Sequence, residues 1–302
     1  METRHAEFFV AAAEELSFTR AAARVNVVQS TISAGIATLE RQVGAPLFVR
    51  STRRVELTAH GRELLPVARA LIAAEQTMRE IGHGARPGLR GRVRVGLLTN
   101  LEILDVPGRL GRFHAEHPQV ELSLVTRPRG SSDILRDVRT GRLELGFTGL
   151  VPEDTPGLRL RVLLRQPYLV VLPPGHRLSS LSEVPLADLV TEPFVDLPAG
   201  FGNRVQFDRL LRRLRLRRRV AIEVPDLGTV PDYVAAGLGV AVVPRQAVAE
   251  RHRVLVRAVR PELSWELAMA EPADAARRTP AARALADALS SDLPEEWAVT
   301  RR

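Results

Sequence analysis

Three short apolar stripes at helical spacing occupy residues 1–43 and constrain the fold more than any other feature of the chain. They consist of Phe8, Phe9, Ala12 and Leu16, then Ala21, Ala22 and Val25, then Ile32, Ile36, Leu39 and Val43. Apolar residues that recur every three or four positions predict three amphipathic helices. Only residues 26–30 connect the second stripe to the third, so the two helices must cross sharply. This pattern predicts a helix-turn-helix whose second helix faces outward.

The predicted outward helix carries hydroxyl and amide side chains on the side opposite its apolar stripe. They are Gln29, Ser30, Thr31, Ser33 and Thr38. Such groups can hydrogen-bond to base edges and to phosphate oxygens. We therefore predict that these five residues contact nucleic acid.

A basic hairpin is predicted directly after these helices. Two short β-prone runs, around Phe48 and over residues 55–57, flank a tip that holds Arg50, Arg53 and Arg54. Guanidinium groups beside an outward helix are typical of a wing that contacts phosphates or the minor groove. Residues 1–60 contain seven Arg and six Glu, so an excess of positive charge is expected only locally, at the hairpin. A small helical domain with a solvated basic loop is the alternative from these residues alone.

Residues 1–61 resemble the DNA-binding head of LysR-type transcriptional regulators. The resemblance lies in Phe8, Phe9, Val10, residues 15–22, Gln29, Ser33, Ile36, Leu39, Glu40, Gly44, residues 46–48, Arg50, residues 53–55, Leu57, Thr58 and Gly61. It implies that the partner is double-stranded promoter DNA, bound by paired heads of a homodimer or homotetramer. We call residues 1–58 the head.

The outward helix departs from the family pattern at two places. The usual Ser-Gln-Pro at its start is Val28-Gln29-Ser30 here, and a frequent Arg-Gln pair is Ala34-Gly35. Val28 cannot cap the helix with a side-chain oxygen. Gly35 is expected to weaken the helix. DNA binding is still expected, with base contacts that differ from those usual in the family.

Composition excludes several kinds of catalytic site in this chain of 302 residues, which carries a formal net charge of +8. It contains neither lysine nor cysteine, so Schiff-base lysines, phosphate-loop lysines and thiol nucleophiles are excluded. No Gly-x-Ser-x-Gly elbow, Gly-x-Gly-x-x-Gly fingerprint or P-loop occurs. We therefore expect no enzymatic activity, no cofactor and no metal.

Targeting signals are also missing from the sequence as given. The N-terminus begins a polar amphipathic helix rather than a signal peptide, and no run approaches the roughly 20 apolar residues of a membrane span. We expect a cytoplasmic location and no membrane partner.

A long amphipathic helix is predicted after the head. Thr58 should cap it, and the apolar stripe continues to residue 81 with Pro66 inside, where a kink is expected. The resemblance implies a dimerisation helix, whereas packing on the chain's own body is the alternative. Residues 82–88 break the periodicity and predict a hinge.

From residue 92 onward, apolar strands alternate with helices, which predicts a mostly parallel, doubly wound sheet. Strands are expected at 93–97, 120–125, 143–147, 168–172, 194–195, 220–224, 240–243 and 265–270. Helices are expected up to 114 and at 133–140, 182–189, 204–214, 230–236 and 280–290.

This region resembles the regulatory region of the same family, with residues 234–244 as a strong marker. The resemblance implies the two-lobed architecture of periplasmic solute-binding proteins. The overall prediction is an α/β chain: a winged helix-turn-helix head (1–58), a linker helix and hinge (59–88) and an effector-binding domain (89–302). Lobe I would hold about 92–162 and 265–302, and lobe II about 163–264. A solute-binding protein or an enzyme on the same two-lobed fold is the alternative.

A small-molecule effector is expected between the lobes, at the carboxyl ends of the strands. The candidate contacts are Thr99, Asn100, Asp196, Gly202 and Asn203, and the resemblance adds Thr148 at the end of the third strand. A helix cap is the alternative role for Thr99. For Asn203 a helix cap is favoured, and that role is compatible with contact to the effector. The Asp196 carboxylate would disfavour an acidic effector unless Arg204 or Arg127 neutralised it, and a cationic effector is the other solution.

A run of arginines occupies positions 212–219, broken only by Leu214 and Leu216. We expect a solvated surface there. A secondary contact with DNA or with a partner is the alternative.

Overall fold

The computed structural model describes residues 2–50, 55–82, 88–99, 101–150, 155–249, 251–291 and 293. The head consists of helices α1 (Thr3–Glu15), α2 (Phe18–Arg24) and α3 (Gln29–Val43), followed by strands β1 (Phe48–Arg50) and β2 (Val55–Leu57). The two strands pair antiparallel, with Phe48 opposite Leu57. The three predicted helices and the predicted hairpin are confirmed.

Aromatic rings and one carboxylate join the hairpin to the helices of the head. The Phe48 ring meets the rings of Phe9 and Phe18 edge-on, with centroids 5.6 and 5.4 Å away. Glu40 on α3 accepts hydrogen bonds at Oε1 from the backbone N–H groups of Leu47, at 2.8 Å, and Phe48, at 3.3 Å. The hairpin is therefore held at a defined place beside α3.

Gly35 has a packing role that its helix propensity does not suggest. It is buried on α3, and a Cβ atom there would lie 2.5 Å from Cδ2 of Phe8 on α1. The missing side chain lets α3 approach α1 closely, so the loss of helix propensity is offset by packing.

The linker helix α4 spans Ala59–Gly82 and contains Pro66. Thr58 caps it as predicted: its Oγ1 accepts from the Gly61 N–H at 2.9 Å and donates to the Pro46 carbonyl at 2.7 Å. One side of α4 packs on its own head, where Leu65 and Ala68 join the apolar core. The predicted hinge falls largely on residues 83–87, which lie outside the described residues.

The C-terminal domain alternates strands and helices as expected. Its elements are β3 (Gly91–Gly96), α5 (Val106–Glu116), β4 (Val120–Val125), α6 (Gly130–Arg139), β5 (Leu145–Thr148), β6 (Leu158–Leu172), β7 (Glu183–Pro185), α7 (Leu186–Leu189), β8 (Pro193–Asp196), α8 (Gly202–Arg213), β9 (Arg219–Glu223), α9 (Val230–Ala235), β10 (Ala241–Pro244), β11 (Leu255–Arg260), β12 (Ser264–Pro272) and α10 (Pro280–Ser290).

The strand order is β4-β3-β5-β12-β6-β11-β7, and β10 also pairs with β6, whereas β8 and β9 form a separate parallel pair. Strand β3 is parallel to β4 and β5, but β12 is antiparallel to β5 and β6. The expectation of a mostly parallel sheet is therefore wrong, and the architecture is mixed. The reason is that two long strands, β6 and β12, run side by side between the lobes in opposite directions.

Two local predictions also need correction. The helix expected at 182–189 is strand β7 followed by the single turn α7, and strand β11 was not predicted. In β11 the apolar residues are interrupted by Arg257, and only Val259 is buried. Although β11 lies between β6 and β7, its sequence has little apolar periodicity to detect.

We use lobe I for β3–β5 with α5, α6 and α10, and lobe II for β8–β10 with α8 and α9. A large apolar core extends from lobe I along β6 and β12 into lobe II, where it includes Phe194 and Phe207. A second core lies in lobe II around Val195, Val234 and Val243. Within the described ranges, no helix is both long enough and apolar enough to cross a bilayer.

Candidate functional site

The first turn of α3 presents an exposed polar surface. Gln29, Ser30 and Thr31 are exposed there. Val28 precedes the helix, is 67% exposed and gives it no side-chain cap. The first N–H groups of α3 therefore have no side-chain oxygen at the cap position, and helix N-termini of this kind can bind phosphate.

Ser33 and Thr38 lie further along α3 and are half-buried. Thr38 donates from Oγ1 to the Ala34 carbonyl at 3.0 Å and accepts from the Arg41 guanidinium at 2.9 Å. Thr38 thus holds Arg41, an exposed cation, on the same side of the helix. The polar surface therefore extends over three turns of α3.

Only part of the predicted wing falls on described residues. Arg50 ends β1 with its backbone opposite Val55, but its side chain is not described. Arg53 and Arg54 lie outside the described residues. The wing arginines stay a prediction, whereas the strands that would carry them are in place.

A cavity of about 440 Å³ lies between the two lobes. It sits where β3, β4 and β5 end and where the N-termini of α6 and α8 begin. Its lining consists of Leu97, Leu98, Thr99, Thr126, Arg127, Pro128, Gly130, Ser131, Gly149, Leu197, Phe201, Gly202, Asn203, Pro225, Leu227 and Trp265. The volume suits a small organic molecule.

Three of the predicted contacts line this cavity: Thr99, Gly202 and Asn203. Asn100 lies outside the described residues. The capping alternatives are wrong for the two polar residues, because Asp105 caps α5 and Phe201 occupies the cap position of α8. Asn203 donates from Nδ2 to the Val242 carbonyl at 3.3 Å, and its Oδ1 has no partner among the described residues.

Thr148 does not line the cavity, contrary to expectation. It is fully buried, and its Oγ1 accepts from the Leu150 N–H at 3.0 Å and donates to the Leu150 carbonyl at 2.9 Å. Its hydroxyl therefore holds the turn after β5 and is not directed at a ligand.

Asp196 likewise lies outside the cavity lining. Its carboxylate therefore does not disfavour an acidic effector, contrary to expectation. Its carboxylate pairs with Arg218, accepts from the Leu197 N–H at 2.7 Å and has Arg204 Nε 3.9 Å away. Burial raises the pKa of Asp196, while the guanidinium groups of Arg218 and Arg204 oppose that rise. The predicted partner Arg204 contributes, whereas Arg127 pairs with Asp137 at 2.6 Å instead.

Arg218 is the exception in the arginine run that was expected to be solvated. Its side chain is only 3% exposed and lies over the rings of Phe194, at 4.9 Å, and Phe207, at 4.5 Å. The other arginines of the run are exposed. Sequence reasoning missed Arg218 because its immediate neighbours are also arginines, so no local signal marks it as buried.

Because Asp196 lies outside the lining, the lining has a defined chemical character. Arg127 is the one charged side chain that the described lining contains, and Thr99, Thr126, Ser131 and Asn203 supply polar groups. The remaining side chains are apolar. Within the described part of the chain, no group of His, Asp and Glu is arranged to hold a metal ion.

Hydrogen bonds tie the two lobes together around the cavity. Ser132 at the start of α6 donates to the Gly200 carbonyl at 2.7 Å. Gln206 on α8 donates to the Gly149 carbonyl at 2.6 Å, and Ser131 Oγ accepts from the Gly149 N–H at 3.1 Å. The walls of the cavity are therefore linked by hydrogen bonds.

A winged helix-turn-helix head joined by a long helix to a two-lobed domain with an internal cavity defines a class of ligand-responsive DNA-binding regulators. Residues 3–62 match the model of the bacterial regulatory helix-turn-helix proteins of the lysR family. Residues 86–294 match the LysR substrate binding domain. The chain belongs to the LysR family, and it is a DNA-binding transcriptional regulator with an effector-binding domain.

Relatives and solved structures agree with this assignment. The transcriptional regulator ShiR of Corynebacterium glutamicum (strain R) is 37% identical over 244 residues, which cover 80% of this chain and 82% of ShiR. A probable hydrogen peroxide-inducible genes activator of Mycobacterium avium is 33% identical over 241 residues, covering 80% and 76%. A full-length OxyR variant from Pseudomonas aeruginosa has a TM-score of 0.72 at 26% identity, covering 96% of this chain and 98% of that one.

Asp196→Ala should destabilise lobe II because it removes a buried partner of Arg218. We expect a loss of about 3 kcal/mol in the free energy of unfolding, as is typical when one member of a buried ion pair is deleted. Urea unfolding of the full chain measures it.

Arg217→Ala is the matched control, since Arg217 is the exposed neighbour of Arg218. It should change the free energy of unfolding by no more than about 0.5 kcal/mol. Equal, small effects of both variants would show that the Asp196–Arg218 pair does not hold lobe II.

Proposed function

We propose that the chain binds a promoter as a homodimer or homotetramer and that a small molecule in the inter-lobe cavity changes this binding. The observation that carries the proposal is the presence, in one chain, of an outward helix α3 beside a hairpin and of a cavity between two lobes. The DNA partner is the argument for an oligomer, because a dyad-symmetric DNA site is bound by two paired heads. A cytoplasmic location follows from the DNA partner.

The proposed DNA contacts are those on α3 and the hairpin: Gln29, Ser30, Thr31, Ser33, Thr38, Arg50, Arg53 and Arg54. Exposure of the first three and the position of the hairpin support this set. We place α3 in the major groove, with base contacts from its first turns, and the arginines of the hairpin on the backbone or in the minor groove.

Helix α4 is proposed as the pairing surface between heads. Val67 is 58% exposed and Met78 is 72% exposed on this helix, although Leu65 and Ala68 pack on the chain's own head. Exposed apolar side chains on a long helix favour a partner helix. We propose the limits 1–58 for the head, 59–88 for the linker and 89–302 for the effector domain, with lobe I at about 92–162 and 265–302 and lobe II at about 163–264.

The proposed effector is an organic anion with an apolar body. Arg127, two helix N-termini and the hydroxyls of Thr99 and Ser131 favour a negative group, and leucine, proline and aromatic side chains favour an apolar remainder. We retain Thr99, Asn100, Gly202 and Asn203 as effector contacts and add Arg127 and Ser131.

No catalytic role is proposed, because the described lining of the cavity brings together no acid, base and nucleophile. A thiol-based redox response is excluded by composition, since the chain has no cysteine. Regulation by reversible binding of the effector is therefore the response that this chain supports.

Selection from a random duplex library should enrich a DNA site for the full chain, and the double variant Arg53→Ala with Arg54→Ala tests the wing on that duplex. Loss of two phosphate contacts should lower the slope of log affinity against log salt by about 2. Fluorescence anisotropy over a salt series measures it.

The control removes the same charge from the exposed arginine run, as Arg215→Ala with Arg217→Ala, and should leave the slope unchanged. An unchanged slope in the Arg53→Ala with Arg54→Ala variant would reject the wing, and a fall in the control would assign a DNA contact to the arginine run. Absence of any enriched duplex would reject DNA binding itself.

Filling the cavity should abolish effector binding. In a thermal-shift screen of small organic acids on the full chain, a ligand at 100 times its dissociation constant stabilises the folded state by about 2.7 kcal/mol. Leu98→Trp places an indole on the cavity wall and should remove the shift.

Leu181→Trp, on an exposed leucine outside the lining, should keep the shift. Arg127→Gln should weaken binding of the acid more than binding of its uncharged amide. Retention of the shift in Leu98→Trp would place the ligand elsewhere, and stabilisation by amides alone would refute the anionic class.

A further inference from the structure

A cluster of ion pairs joins the head to the effector domain within one chain. Glu14 on α1 pairs with Arg69 on α4 at 2.5 Å and with Arg24 at 2.6 Å. Arg94 on β3 lies 3.7 Å from the same carboxylate and pairs with Glu144 at 2.6 Å. We call these five residues the junction.

Most of the junction is shielded from solvent, and it joins three arginines to two glutamates. The side chains of Arg69 and Glu14 are 11% and 19% exposed. Burial raises the pKa of Glu14, but Arg69 and Arg24 outweigh it and hold the pKa below its ordinary value. Glu14 therefore stays ionised at neutral pH, and separating it from its partners would leave a partly buried charge unpaired.

Helix α6 extends from the junction to the cavity. At its C-terminal end, the Thr140 carbonyl accepts from Arg69 at 3.0 Å, and the Gly141 carbonyl accepts from Arg94 at 3.1 Å. At its N-terminal end, Gly130 and Ser131 line the cavity. With 10 residues, α6 spans about 15 Å at about 1.5 Å per residue.

Two neighbouring strands connect the same two places. Arg94 lies on β3, which leads to the lining residues 97–99. Glu144 immediately precedes β5, which leads to Gly149 on the cavity wall. Three elements of lobe I thus have one end at the junction and the other at the cavity.

Helix α6 is held along its length by apolar packing and by ion pairs. Ile134 and Val138 are fully buried beneath it. Asp133 binds Arg129 and Arg136 at 3.0 Å each, and Asp137 binds Arg127 at 2.6 Å and Arg142 at 2.7 Å. These contacts make α6 a stiff connection between Ser131 and Thr140.

We propose that α6 transmits effector occupancy from the cavity to Arg69, which positions the DNA-binding head against lobe I. The inference rests on the proposed function and names how the effector site regulates the head. An effector that holds Ser131 shifts α6, the shift moves Thr140, and Arg69 carries it to α1 and α4. Because coupling free energy is reciprocal, DNA bound to the head must also change the cavity.

Trp265 offers a native reporter of the cavity for this reciprocal effect. It lines the cavity and packs on Gly149, whose N–H is bound by Ser131 at the start of α6. The chain has two tryptophans, so Trp297→Phe leaves Trp265 as the single emitter. This variant of the full chain is the parent for the experiment.

The enriched duplex described above is titrated into the parent while Trp265 emission is recorded, with anisotropy of the labelled duplex as a separate readout of DNA binding. The duplex should shift Trp265 emission in the parent. Arg69→Gln should still bind the duplex but lose the emission shift. Arg69→Lys keeps the charge but not the planar fork that reaches both Glu14 and Thr140, so it should also lose the emission shift. This second variant guards against misfolding of the first.

Arg165→Gln is the matched control, because it breaks an exposed pair with Glu266 away from the junction, and it should keep the full shift. A shift that persists in both Arg69 variants, or no shift in a parent that binds the duplex, would overturn the proposal. A parent that binds no duplex would instead refute the proposed function, on which this inference rests.

Discussion

The carboxylate of Glu14 is the charge on which the arrangement of this chain depends. It meets Arg24 of the helix-turn-helix, Arg69 of the linker helix and Arg94 of the effector domain, so three parts of the chain share one partner. Surface ion pairs contribute little, but a shielded set whose members cannot leave singly fixes geometry. The apolar cores stabilise each part, while this cluster joins the head to lobe I through charged contacts.

Much of the fold was predictable because it is built from local patterns. The helices of the head, the Thr58 cap and the hairpin all follow from spacing and capping chemistry. The mixed sheet was not predictable from alternation alone, because periodicity carries no information on strand direction. Strand β11 was not predicted because Arg257 interrupts its short apolar run.

The candidate site was predictable as a region but not as a set of side chains. The predicted ends of strands and starts of helices placed Thr99, Gly202 and Asn203 at one site, and all three line one cavity. Asp196 was misread because its partner, Arg218, stands within a run of similar arginines and pairs with it only through the fold. Gly35 shows the same limit, since only the position of Phe8 explains why that helix position has no side chain.

A double-mutant cycle between Glu14→Gln and Arg94→Gln tests most directly whether the head is held on lobe I. Hydrogen exchange of the α1 amides in the full chain gives the free energy of opening of α1. The measurement needs neither effector nor DNA. Residues that share one network are expected to deviate from additivity by about 0.5–3 kcal/mol. Additivity within about 0.3 kcal/mol would contradict the account, because head and effector domain would then be energetically independent.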